Sequence, residues 1–240
     1  MLLTGSSLLH IIVKMVNPFE DIDGVLFDMD GTLVETNIDF ALMKREIVAF
    51  AEGRGVPASR VQGLDILAVV DVVVKHVESY IGTAAAEDVR REAFELLEKI
   101  EIEPCSRAQA ISHARELLDA LRSAGIRVGI VTRNCRKAVS CSVDQTGITA
   151  DVLLTRDDVR NPKPHPEHLY CALELLDVPA SRAMMIGDHW MDVQGGKAAG
   201  MRTVGFLRAD RPKDLFDEVK PDLVIRELGE LLPWIERLKN

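Results

Sequence analysis

Carboxylates recur at two points of the 240-residue chain in spacings that can do chemistry. Asp28 and Asp30 lie in Phe27-Asp28-Met29-Asp30-Gly31-Thr32-Leu33, and Asp188 and Asp192 lie in Ile186-Gly187-Asp188-His189-Trp190-Met191-Asp192. Each pair follows a short apolar run, Val25-Leu26-Phe27 or Ala183-Met184-Met185-Ile186, so each is placed where a strand ends. Strand side chains alternate, so Asp28 and Asp30 point the same way. Two carboxylates held so close repel unless a cation sits beside them or one takes a proton. Hard oxygen ligands from two strand ends suit a magnesium ion that keeps several waters. Gly31 permits close backbone approach, and its N–H and that of Thr32 can face an anion. A bare D-x-D-G fits an Asp-rich turn that caps a helix or closes a strand somewhat better than a site.

Two further signals follow the same placement. Thr132 ends the run Ile126-Arg127-Val128-Gly129-Ile130-Val131, a position that also suits a helix N-cap. Lys163 stands in Asn161-Pro162-Lys163-Pro164-His165-Pro166, where prolines stiffen the chain and hold the lysine on a loop. A fixed ammonium suits a phosphate oxygen, while a solvated surface lysine is the plainer alternative.

The elements that must position these residues alternate short apolar strands with amphipathic helices. After Val25-Leu26-Phe27 and Ile126–Val131 come the strands at 152–154, 183–186, 202–206 and 223–225, and the helical patterns Ala108–Ala124, Cys135–Thr146, His165–Leu176, Asp192–Ala199 and Leu228–Leu238. This order predicts an α/β fold, a doubly wound, mostly parallel sheet covered on both faces. Gly125 and Gly200 fall where left-handed helix ends require glycine. The rhythm breaks over residues 34–104, where no strand is expected and helices are predicted near Phe40–Val48, Leu64–Val74 and Val89–Ile100. The valine runs at 69–70 and 72–74 leave the type of the second less certain than its existence. Residues 17–33 and 105–240 are therefore expected to form a discontinuous core, with 34–104 an inserted all-α unit rather than a long loop.

The order acid pair, hydroxyl, lysine, acid pair resembles the motif set of the haloacid dehalogenase-like hydrolase superfamily. The likeness runs from about Val25 to Phe206, and the insert resembles that family's helical cap, nearest the phosphoglycolate phosphatase-like branch. It implies a Rossmann-like core in which Asp28 is the nucleophile and Asp30 the general acid and base. It implies Mg²⁺ held by Asp28, the Asp30 main-chain carbonyl and Asp188, with Asp192 a ligand or a support. Gly31, Thr32, Thr132, Arg133, Asn134 and Lys163 would surround the phosphoryl group, although Asn134 also reads as a helix N-cap. Related ATPases carry threonine at the place of Asp30 and halide-removing members lack the acid, so the aspartate implies a phosphatase or a phosphomutase. A catalytically silent binding protein of the same fold is the remaining alternative, and the intact set of six polar groups argues against it. Glu35-Thr36 stands where many relatives have Asp-Ser, which fits a cap hinge. His189 fits local hydrogen bonding at least as well as substrate contact, and His165 with His168 has helix-face spacing without a metal role expected. In the cap, Arg45 is the first candidate for contact with an anionic leaving group, with Arg54 and Lys75 behind it, although a solvated surface cation is the plainer reading of each.

Composition bounds the partners. With 29 Lys+Arg against 38 Asp+Glu, the net charge is −9, and aromatics are 5%. Nucleic acid, which is bound through clustered cations and stacking aromatics, is not an expected partner. No apolar run reaches the ~20 residues of a membrane helix. The expected partner is a small phosphorylated metabolite, and the expected assembly a monomer or homodimer. Cys105, Cys135, Cys141 and Cys171 form no C-x-x-C pair, so reduced thiols in the cytoplasm are expected rather than a zinc site. Residues 1–16 read as an extension or start-site variant ahead of Met15, not a secretion signal.

Overall fold

Strand β1 (Gly24–Phe27) has a parallel partner on each side, which makes it the middle of a sheet. The computed structural model describes residues 17–239, so the extension expected over residues 1–16 lies outside the described residues. In chain order the other strands are β2 (Val34–Glu35), β3 (Gln109–Ala110), β4 (Arg127–Val131), β5 (Val152–Leu154), β6 (Ala183–Gly187), β7 (Arg202–Phe206) and β8 (Leu223–Ile225). Six of them form one parallel sheet in the order β5-β4-β1-β6-β7-β8. The chain steps from β1 outward through β4 to β5, then returns to β6 on the other side. Strand order thus reverses beside β1, and in open α/β sheets ligands bind past the carboxyl ends at that point.

The helices are α1 (Phe40–Glu52), α2 (Ala58–Val61), α3 (Ile66–Tyr80), α4 (Thr83–Cys105), α5 (Ala114–Ser123), α6 (Arg136–Thr146), α7 (Glu167–Leu176), α8 (Trp190–Ala199) and α9 (Leu232–Glu236). Alternation along β1 divides the core. Val25 and Phe27 pack with Leu117, Leu121 and Ile235 of α5 and α9, whereas Leu26 packs with Leu169 and Leu173 of α7. Both faces of the sheet are covered, as the predicted doubly wound fold requires. Among the described residues no helix is long and apolar enough to cross a membrane, and all four cysteines are free.

Helices α1, α3 and α4 share an apolar cluster built on Met43, Ile47, Val69, Val73 and Leu97, which also takes in Cys135 and Ala138 from the start of α6. In α3 the valines Val69, Val70, Val73, Val74 and Val77 are all buried. Burying each is worth about 1.5–3 kcal/mol. That outweighs a helix-propensity cost of at most about 0.7 kcal/mol per residue. Packing decides the type, and Asp65 starts the helix by accepting from Leu67 N at 3.0 Å.

Three expectations need correction. Residues 34–104 do contain a strand: Val34–Glu35 pairs antiparallel with Gln109–Ala110, and two residues are too few to leave an alternation in the sequence. The same pairing takes the start of the helix predicted from Ala108, so α5 begins at Ala114. The helix expected over Leu228–Leu238 is broken into 3-10 turns around α9, because Pro233 cannot extend the turn that precedes it.

His168, on α7, is completely buried. Burial first, and the Lys163 charge second, push it down to about 3 from its ordinary 6.5. As pH falls through 6.5 the unfolded chain takes the proton and the folded chain does not, so stability drops on the acid side. The slope is up to about 1.4 kcal/mol per pH unit for this one group. Urea unfolding between pH 6 and 4.5 should show that fall in the native sequence and a shallower one in His168→Leu.

Candidate active site

All four chemically suggestive stretches converge past the carboxyl ends of β1, β4 and β6. Asp28 follows β1, Thr132 follows β4, Asp188 follows β6, and Lys163 comes from the loop between β5 and α7. The Lys163 Nζ donates to Asp28 Oδ1 at 2.8 Å and to Asp192 Oδ1 at 2.7 Å, with its side chain 1% exposed. Burial alone would strip its charge, but Asp192 and Asp28 hold its pKa above the ordinary lysine value. Asp192 uses its other oxygen as well, accepting from the His189 backbone N–H at 3.1 Å at the start of α8. The His189 ring accepts in turn from Met191 N at 3.3 Å, and burial pushes that imidazole down to about 4.

Carboxylate oxygens of Asp28, Asp188 and Asp192 lie within 4.8 Å of one another, all three residues being buried or nearly so. Two glycines make this crowding possible. A Cβ at Gly31, where φ is +82°, or at Gly187 would run into the carboxylate of Asp188 or Asp192 respectively. Burial, then Asp28 and Asp192, push Asp188 up to about 7. Three acids of this kind, with an all-oxygen donor set, fit a hard divalent cation. Asp30 sits beside them, also pushed up by burial, to about 6, and its Oδ1 accepts from Thr36 N at 3.1 Å and from the Thr36 hydroxyl.

A cavity of about 320 Å³ opens on these groups. Asp28, Asp30, Thr132, Arg133, Asn134, Lys163, Asp188 and Asp192 all line it, together with His189. Gly31 and Thr32 do not present N–H groups to it: the tight turn consumes both, Gly31 N donating to Val34 O at 2.8 Å and Thr32 N to Met29 O at 3.3 Å. The Thr32 hydroxyl instead accepts from Asp188 N at 3.1 Å, joining the two acid motifs. Asn134 is not the cap of α6; Cys135 is, its Sγ accepting from Ala138 N. Glu35 lies outside the cavity, ion-paired to Arg208 at 2.5 Å. Arg45 is exposed and also outside, because one helical step turns it about 100° from Lys44, which does line the cavity. Arg54 pairs with Glu92, and Lys75 is exposed.

Of the other cations at the cavity, Lys44, Arg156 and Arg211 carry no motif, while Arg133 is expected there. Lys44 donates to Leu64 O and is lowered by burial. Arg133 bonds Asp65 at the start of α3, Arg156 bonds Glu101 of α4, and Arg211 bonds Asp188 at 3.1 Å. Arg208 and Arg211 follow β7, so the rule that flagged the other strand ends also points to them.

Residues 25–206 match the family described as Haloacid dehalogenase-like hydrolase. The pyrophosphatase PpaX of Bacillus velezensis is 31% identical over 229 residues, covering 88% of this chain and 95% of that protein. PpaX of Bacillus mycoides is 29% identical over 230 residues, covering 91% and 99%. Among solved structures, a hydrolase from Pseudomonas syringae superposes with TM-score 0.64 at 19% identity, over 90% of this chain and 98% of that one. A HAD family hydrolase from Deinococcus radiodurans R1, with bound phosphate and sodium, gives 0.61 at 23%, over 91% and 97%. The chain belongs to the haloacid dehalogenase-like hydrolase family. Within that family it is a hydrolase of the phosphatase kind.

Proposed function

We propose that this chain is a magnesium-dependent phosphatase acting on a small phosphorylated metabolite through an aspartyl-phosphate at Asp28. One observation carries the reading: a buried lysine bonded to Asp28 and Asp192, with Asp188 completing a cluster of three acids. Asp28, the Asp30 carbonyl and Asp188 would hold the ion, with Asp192 fixed by Lys163 and His189 as a further ligand or a support. When bound, magnesium supplies positive charge that offsets repulsion between Asp28 and the phosphoryl oxygens.

The chain's own groups do the rest. An Asp28 oxygen forms a bond to phosphorus as the bond to the leaving oxygen breaks, which splits one displacement into two. Asp30, oriented by Thr36, gives its proton to the leaving oxygen and takes one back from the water that cleaves the aspartyl-phosphate. Lys163, Thr132 and Asn134 surround the transferring oxygens, where fixed donors count most. The helices over residues 34–104 act as a cap that excludes bulk water and meets the leaving group through Lys44, with Arg133 facing it from the loop after β4. Free thiols suit a cytoplasmic setting.

A cavity of about 320 Å³ is near the low end for ligand sites, which favours a small phosphorylated metabolite over a macromolecular substrate. Pyrophosphate is the first substrate to test, given the named activity of the Bacillus relatives, and phosphoglycolate the second. Phosphate release from both should exceed release from hexose phosphates and nucleotides, stop in EDTA, and return with excess Mg²⁺. Undiminished turnover in EDTA would overturn the metal; no phosphate from any substrate would overturn the phosphatase. Release to water, in place of transfer to a second hydroxyl, separates this reading from a mutase.

A further inference from the structure

A second cation reaches the acid cluster from the segment that follows β7. Arg208 anchors that segment: its guanidinium pairs with Glu35 at 2.5 Å and Asp210 at 3.1 Å, and donates to Gly31 O at 3.4 Å. A turn closed by Arg211 N to Arg208 O, 3.1 Å, then brings Arg211 back over the site, where its Nη2 bonds Asp188 Oδ2 at 3.1 Å. The two partners differ in freedom. Asp188 is 3% exposed in its side chain, its backbone N–H is held by Thr32, and its carboxylate fills the space a side chain at residue 31 would need. Arg211 is 38% exposed on a loop and can withdraw. Lys163 cannot, being 1% exposed and bonded to two acids.

We propose that Arg211 is an internal competitor of the divalent cation for Asp188, which the ion must displace in order to bind. The inference rests on the metal reading given above. A guanidinium and a divalent ion on one carboxylate repel each other, and of the two cations already touching the cluster only Arg211 has somewhere to go. The protein thus carries its own brake on metal affinity, and metal entry is tied to release of the segment that Arg208 anchors.

Mn²⁺ titrated onto the protein alone, with free ion read by electron paramagnetic resonance, tests this without any turnover. Arg211→Gln should bind Mn²⁺ about fivefold more tightly than the native protein, the scale of losing one partly exposed ion pair. Arg211→Lys, which keeps the charge, should bind as the native protein does; tightening in this variant too would assign the effect to loop packing and overturn the proposal. Unchanged or weaker binding by Arg211→Gln would overturn it while leaving the metal reading intact. Absence of Mn²⁺ binding by all three proteins would overturn both.

Discussion

Asp28→Asn is expected to lose phosphate release by about 10⁴-fold or more, the scale on which removal of a covalent nucleophile acts. The amide keeps the shape of the side chain and can still accept from Lys163, so the loop that carries the lysine keeps its contact. It cannot supply the negative oxygen that attacks phosphorus. Removing one of three crowded acids also relieves repulsion with Asp188 and Asp192, so the variant should melt no lower than the native protein. Paired measurements of initial rate on pyrophosphate and of thermal midpoint check both halves. Residual turnover above about 1% of the native rate, beyond what deamidation accounts for, would remove the nucleophile role from Asp28.

Glu101→Ala has the largest expected effect on stability. Glu101 of α4 and Arg156 after β5 form an ion pair with both side chains 1% exposed. The other Glu101 oxygen accepts from Cys135 N at 3.1 Å, at the start of α6. The truncation leaves a buried guanidinium without its carboxylate, with only the Arg133 carbonyl at 3.1 Å still accepting from it, and a backbone donor without an acceptor, at a cost of about 3–5 kcal/mol. For a chain of this size that corresponds to a midpoint lower by about 10 °C, read by differential scanning calorimetry. The double variant Glu101→Leu, Arg156→Met should recover much of the loss, because it buries no unpaired charge. A single variant as stable as the native protein would mean that Arg156 finds other partners.

The contrast between these two positions explains what could be read from the residues in order. Asp28, Thr132 and Asp188 were legible because strand ends announce themselves, an apolar run stopping where a polar group follows, and Lys163 because prolines on both sides pin it to a loop. Parallel order then brings those ends together however far apart they lie in the chain. Glu101 and Arg156 were not legible, since each sits among ordinary helix or loop residues and acquires meaning only across the contact. Lys44 and Arg45 show the finer limit. Both are cations on α1, and the rotation between consecutive residues decides which one meets the cavity. The N–H groups at Gly31 and Thr32 failed for a local reason, because the turn that tightens the motif satisfies them internally.

The ribbon formed by β2 and β3 gathers both chain crossings into the helical insert at one place. The chain crosses only through that two-stranded neck, while the Glu101–Arg156 pair and the apolar cluster shared with Cys135 and Ala138 hold the insert to the core from a second side. Thr36, which grips Asp30, is the first residue past that neck. On the proposed reading, a movement of the insert about that neck would re-aim Asp30 in the same stroke, which would couple closure of the cavity to placement of the acid.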